Sequence, residues 1–154
     1  MAKQSAGILL FRRRNETEVF LVHPGGPFYK NKDNGCWSIL KGEFMDDEEP
    51  LTAARREFEE ETGTAIDGDF MHLSTIKQKG GKTVYAWAVE GDIDPEKIVS
   101  NNFEIIWPPG SGMLQSFPEN DRGAWFSAVL AREKIVGGQV ALLDELLWRL
   151  EGLR

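Results

Sequence analysis

The sequence predicts an α/β fold with a mixed sheet, on three observations. Short apolar runs separated by turn residues recur from residue 5 to residue 107, an acidic segment carries helical start and stop signals, and the C-terminal stretch repeats its apolar residues at helical spacing. Residues 5–11 and 18–23 read as two strands of a hairpin, joined by the charged turn 12–17. The run His23-Pro24-Gly25-Gly26-Pro27 breaks the pattern, and the polar stretch to Gly35 reads as a loop. Residues 36–40 read as a short strand ending at Lys41-Gly42. Helical signals extend over 47–62, with Asp47 as N-cap, acids and Pro50 in the first turn, and Gly63 as C-cap. Residues 71–78 and 82–90, joined through Gly80-Gly81, read as a second hairpin. One more strand is expected at 103–107, stopped by Pro108-Pro109-Gly110, and a flexible stretch at 111–121 leads to Trp125. A short helix follows near 129–135. After Gly137-Gly138, the helix 139–150 places Val140, Leu143, Leu146, Leu147 and Leu150 on one face.

A length of 154 residues suits one domain, and no repeat, low-complexity tract or linker divides it, so the expected unit runs 1–154. Met1 to Ser5 leads into an apolar run broken by Arg12-Arg13-Arg14, which fits neither a signal peptide nor a membrane span of ~18 apolar residues. The lone cysteine, Cys36, excludes an internal disulfide framework, and the expected location is cytoplasmic. The net charge is −7, and residues 42–61 account for all of it, with nine acids (Glu43, Asp46, Asp47, Glu48, Glu49, Glu57, Glu59, Glu60, Glu61) against Arg55 and Arg56. Such a balance argues against a sequence-independent grip on nucleic acid. The concentrated acid asks for a local reason: a solvated helix, a disordered run or a cation site.

The helical geometry accommodates the cation site as readily as a solvated face, and the residue spacing around the helix decides between them. With Glu57 set at zero on a helix turning ~100° per residue, Glu60 falls near −60° and Glu61 near +40°, so three carboxylates share one arc. Ala53 lies one turn below them. Leu51, Ala54, Phe58 and Thr62 form the adjoining core stripe, which puts the acids beside the buried face and not opposite it. Like charges at this spacing repel, and they sit toward the C-terminal end, where the helix dipole disfavours anions. A divalent cation offsets both effects, and an all-oxygen ligand set selects Mg²⁺ or Mn²⁺ over zinc.

The spacing around these acids runs Gly42, five residues, Glu48, seven residues, Arg56-Glu57-Phe58, one residue, Glu60-Glu61, one residue, Gly63-Thr64. It resembles the signature of the Nudix hydrolases at all seven fixed positions. At ~7% usage per residue type, chance agreement is on the order of 10⁻⁸ per starting point, so the spacing is informative. Phe58 and Thr64 depart from the family's bulky aliphatic residues, which bears on packing and not on the acidic face.

The resemblance implies an α/β/α sandwich with a loop–helix–loop catalytic motif, and metal-dependent hydrolysis of a nucleoside diphosphate linked to another moiety. By position it implies Glu60 and Glu61 as metal ligands and Glu57 as a further ligand or the general base. Arg56 would orient Glu57 or pair with Glu48, Gly42 would allow a tight turn, and the carbonyl of Lys41 would join the metal ligands. Glu119, shortly before Trp125, fits the further acid that family members bring from a loop, with Asp121 as the alternative. Lys41 is a candidate phosphate contact, as are the loop residues Lys30 and Lys32. Trp37, Tyr85 and Trp87 are candidates for stacking a base, although Tyr85 and Trp87, sharing a sheet face, read equally as core. His23 and His72 have no ligand spacing, and Cys36 reads as a packed thiol.

For the substrate, Trp37-Ser38-Ile39-Leu40-Lys41-Gly42 is similar to the approach to this motif in diadenosine tetraphosphate hydrolases. Residues 77–83 lack the proline that many ADP-ribose and nucleotide-sugar members carry beyond it. The expectation is therefore a small nucleotide substrate, a dinucleoside polyphosphate or a nucleoside triphosphate. An ADP-ribose or nucleotide-sugar pyrophosphatase, a non-catalytic nucleotide-binding regulator and a metal-stabilised interaction domain are the alternatives. Oligomeric state is not legible.

Overall fold

The structure is a computed structural model that describes residues 3–152. Met1 and Ala2, where the signal-peptide argument starts, and Leu153 and Arg154, which end the expected 1–154 unit, lie outside the described residues. In chain order the elements are β1 (Gln4–Arg13), β2 (Thr17–Pro24), β3 (Leu40–Glu43), α1 (Pro50–Thr62), β4 (Met71–His72), β5 (Ile76–Lys77) and β6 (Thr83–Glu90). They continue with β7 (Asn102–Ile106), β8 (Leu114–Pro118), β9 (Asn120–Ser127), α2 (Ala128–Lys134) and α3 (Val140–Gly152).

Seven strands form one mixed sheet along the path β4-β6-β1-β2-β9, with β3 also on β1 and β5 also on β6. β1 runs through its centre, parallel to β6 and antiparallel to β2 at one end and to β3 at the other. That position explains its unbroken apolar run, since both faces are covered. On one face, Leu9, Phe11, Leu21 and Ala86 pack against Ala131 of α2 and Leu142, Leu143 and Leu146 of α3. On the other, Ala6, Ile8, Leu10, Phe20 and Leu40 pack against Ala53, Ala54 and Phe58 of α1. The α/β/α layering is as the sequence predicts. No helix among the described residues is long and apolar enough to cross a membrane.

The expected strand at 36–40 gives way to β3, which starts at Leu40. Upstream, the backbone is claimed elsewhere, with Gly35 N–H on the Glu133 carbonyl, Trp37 N–H on that of Lys134 and Ser38 bridged to Val22. Asp47 is not the helix cap. Proline disfavours helical backbone in the residue before it, so α1 begins at Pro50 with Glu49 extended at its N-cap. Gly63 ends α1 as expected, left-handed at φ 72°, its N–H bonded to the Glu59 carbonyl at 2.8 Å. The expected strand 71–78 is interrupted, and β4 and β5 meet β6 separately. The stretch 111–121 is ordered: β8 pairs with β7, setting Phe103 opposite Phe117, and β9 starts at Asn120 along β2. Glycine and proline between β7 and β8 mask that hairpin locally, while the polar start of β9 hides a strand whose partner is far away in sequence.

Candidate active site

The site is built on α1 and the strand that faces it. Register pairs Gly42 with Ala6, and both turn toward α1. A Cβ placed on Gly42 would lie 2.1 Å from the Glu57 carboxyl carbon and 2.4 and 2.5 Å from its oxygens. The expected tight turn at Gly42 is therefore corrected. This glycine lies within β3, has no positive φ, and is small because the Glu57 carboxylate occupies the space of a side chain.

Arg56 joins three of the acids. Its Nε and Nη2 donate to the two oxygens of Glu48 at 2.8 and 3.0 Å, a bidentate pair across the start of α1. Its Nη1 donates to Glu57 Oε1 at 3.0 Å and, more loosely, to Glu60 at 3.3 and 3.4 Å. The two roles left open for Arg56 thus coexist in one guanidinium. It holds Glu48 below the ordinary carboxylate range. Glu57 goes the other way: burial pushes its carboxyl up, and Glu60 and Glu119 add to this against the pull of Arg56.

Glu61 is only 2% exposed. Its Oε1 accepts from Asn101 Nδ2 at 3.2 Å, whereas its Oε2 is buried with no partner, the one such side-chain atom among the described residues. Burial raises its proton affinity, and Glu119 and Glu57 add to the effect against the Asn101 hydrogen bond. Asn101 also places Glu119, whose N–H donates to the Asn101 carbonyl at 2.8 Å while its own carbonyl receives Gly25 N–H at 2.8 Å. Glu119 sits in the bend between β8 and β9. The alternative acid, Asp121, is committed to His23 Nδ1 at 2.9 Å. Asn101 has no signal in the sequence, lying in a polar Ser-Asn-Asn run far from the motif.

A hard divalent cation fits this donor set. Every donor is oxygen, one carboxylate oxygen is buried without a partner, and the acids repel one another. Among the described residues, no three acidic, histidine or cysteine side chains are already gathered as a metal site. Glu57 and Glu60 are turned instead toward Arg56.

The candidate stacking residues divide. Trp37 is corrected: it is 4% exposed, with Nε1 donating to Asp33 at 2.8 Å and its ring edge-on to His23 and Phe126, so it has no face for a ligand. Tyr85 and Trp87 lie on the α1 face, half-buried; Tyr85 packs edge-on to Phe44, and Trp87 stacks on His72 at 4.8 Å. His23 is fully buried, and Cys36 is a packed thiol whose Sγ–H donates to the Asp33 carbonyl. Lys30 and Lys32 are exposed loop residues. The Lys41 side chain does not share the face of Gly42 and Glu57. It alternates to the opposite side of the sheet.

Comparison with known proteins gives a family and a set of relatives. The NUDIX domain family matches residues 1–128. An octanoyltransferase of Myxococcus xanthus is 28% identical over 133 residues, which cover 84% of this chain and 29% of that protein; the chain thus spans under a third of this curated relative. An Ap4A hydrolase of C. elegans, solved as a binary complex, superposes with TM-score 0.69 at 19% identity, covering 98% of this chain and 99% of that one. The NUDIX domain of Shewanella oneidensis NrtR, complexed with ADP ribose, superposes with TM-score 0.65 at 15% identity, covering 97% and 89%.

Proposed function

Because the chain belongs to the NUDIX domain family, we propose that it is a divalent-cation-dependent pyrophosphohydrolase of nucleotides, with an oligophosphate substrate preferred. The observation that carries the reading is the raised proton affinity of Glu57 and Glu61, a half-buried and a buried carboxylate that repel each other on one helix, the second with an unpartnered oxygen. Glu60, Glu61, Glu119 and the Lys41 carbonyl are the proposed holders of Mg²⁺ or Mn²⁺, and Glu57 is assigned the other role open to it, the general base. When bound, the ion offsets the charge of the phosphates and makes water a better nucleophile at neutral pH.

The chain's own residues supply the rest. Glu48 anchors Arg56, and Arg56 fixes the Glu57 carboxylate beneath Gly42, so the base is oriented before substrate arrives. Water attacks one phosphorus, the bridging P–O bond breaks, and the water's proton passes to Glu57, whose raised proton affinity suits it as general base. Asn101 keeps Glu61 and the Glu119 bend in register.

The test is product chromatography with Mg²⁺ or Mn²⁺ on diadenosine tetraphosphate, nucleoside triphosphates, ADP-ribose and a nucleotide sugar. Turnover of an oligophosphate, reduced ~10²–10⁴-fold by Glu57→Gln with the fold retained, is expected. Glu60→Gln is expected to abolish nearly all turnover. Turnover of ADP-ribose alone would overturn the substrate choice, and silence across the panel would overturn the hydrolase reading.

A further inference from the structure

Asn101, which holds Glu61, and Glu119, which bonds to Asn101, are also the two feet of the β7–β8 hairpin: β7 starts just after the first and β8 ends just before the second. The hairpin is thus tied to the acidic site by backbone. Register sets Phe103 opposite Phe117 and Ile105 opposite Gln115 on one face, and the Trp107 N–H on the Met113 carbonyl at 2.9 Å continues the ladder, so alternation adds Trp107 to that face. The loop after β2 lies against it. Gly25 N–H reaches the Glu119 carbonyl, a Cβ on Gly25 would lie 2.0 Å from the Pro118 carbonyl oxygen, and one on Gly26 would lie 2.7 Å from the Phe103 ring. Two successive glycines permit this close approach. Within ~11 Å of chain beyond Gly25, Phe28 meets Trp107.

The far end of this face is open. The Phe28 and Trp107 rings lie 5.2 Å apart with their planes at 77°, a right-angled corner, and Phe28 is 59% exposed. The other tryptophan rings in close aromatic or cationic contact are occupied: Trp37 by His23 and Phe126, Trp87 by His72, and Trp125 by the Arg12 guanidinium at 4.1 Å. A flat ring laid on one wall of the corner presents its edge to the other, and aromatic quadrupoles favour both contacts. Gln115 adds a polar group. Its Nε2 donates to the Trp107 carbonyl at 2.7 Å; because a carbonyl only accepts, the amide nitrogen is fixed there and Oε1 is turned away from it. Oε1 has no donor among the described residues and is not buried, so it is open to a ligand. An acceptor at this place receives the exocyclic amine of adenine or cytosine and is opposed by the carbonyl oxygen of guanine, hypoxanthine or uracil.

We propose that Phe28 and Trp107 seat the base of the nucleotide and that Gln115 selects a base bearing an amino group, adenine before guanine or hypoxanthine. The proposal rests on the hydrolase reading above and names the part of the substrate that reading leaves open. It assigns specificity to a hairpin whose rings lie outside the acidic motif and whose feet are residues of the site.

Adenosine and inosine present an amino group and a carbonyl oxygen at the same ring edge and carry no phosphate, so in EDTA they probe the corner without a cation. The readout is the Trp107 indole N–H signal in NMR titrations, assigned by its loss in Trp107→Phe. Adenosine is expected to shift it saturably and inosine to need about tenfold higher concentration. Gln115→Leu, with an unchanged thermal melt, should bind the two within twofold of each other. With Mg²⁺, the wild type should favour ATP over ITP about tenfold in kcat/KM, and Gln115→Leu should bring that ratio close to one. Phe28→Ala should raise KM for ATP about tenfold, and Phe28→Tyr should restore it. The proposal is overturned if adenosine leaves the Trp107 signal unmoved, if inosine binds as tightly, or if Gln115→Leu keeps the wild-type preference. ATP turnover with no preference over ITP would overturn the corner and leave the hydrolase reading standing. Adenosine binding that follows Gln115, with no turnover of any nucleotide, would support the corner while removing the hydrolase reading.

Discussion

At the scale of single residues, space and charge act on Glu57 and Glu61 together. Gly42→Ala puts a methyl group inside the Glu57 carboxylate, and the side chain, not the strand, is the part that can yield. The expected outcome is a ~10²-fold or greater fall in kcat with little change in thermal stability, read by steady-state kinetics beside a thermal melt. Glu57 and Glu61 also set a pH dependence. Their carboxyl pKa values are raised by folding, so the folded state binds more protons than the unfolded one. Their contribution to stability is therefore greatest below the ordinary carboxylate range. It falls as pH rises through that range and is lost above the raised values, where both carboxylates are charged. Glu48, held low by Arg56, contributes the opposite slope. Glu61→Gln should accordingly raise the melting temperature of the EDTA-treated protein at pH 7, by ~2–4 °C per kcal/mol recovered, and remove part of the increase that Mg²⁺ gives the wild type. An unchanged or lower melting temperature in EDTA would contradict this account.

At the scale of elements, α1 is both the scaffold of the acids and part of the core. Phe58 is 1% exposed between Ala53, Ala54 and the sheet, one residue from Glu57. Phe58→Ala should cost ~3–5 kcal/mol in urea denaturation, as expected for a large core truncation. The Arg56 fork couples the loop before α1 to the helix, and lysine cannot reproduce a bidentate pair. Arg56→Lys is thus expected to lower kcat more than it raises KM, since it disturbs how Glu57 is aimed and not what the substrate touches. Much of this element was legible: the acid spacing, Pro50 and Gly63 are local signals. Its exact start was not, because Asp47 resembles a cap and only the backbone restriction before Pro50 places the N-cap at Glu49.

At the scale of the whole molecule, the helices beyond the family match complete the structure. The match ends at residue 128, yet Leu142, Leu143 and Leu146 of α3 fill one side of the sheet, and Gln139 is fully buried. Gln139 Oε1 accepts from Ile39 N–H at 3.0 Å, and its Nε2 donates to Ser38 Oγ at 2.9 Å, tying the start of α3 to the approach to β3. Gln139→Leu leaves a buried N–H without a partner, and a loss of ~1–3 kcal/mol is expected by chemical denaturation.

The sequence by itself determined the α/β layering, the acidic face of one helix and the family, because each rests on short-range spacing along a strand or a helix. It could not determine which residues meet. Trp37 reads as a ligand platform until Phe126 and His23 close over it, and Gly42 reads as a turn until Glu57 is seen to fill its side-chain space. Asn101 comes to Glu61 only through the sheet. Those encounters depend on strand order and register. Both are set by burying two apolar faces at once, a condition satisfied by the whole chain and written in no single segment.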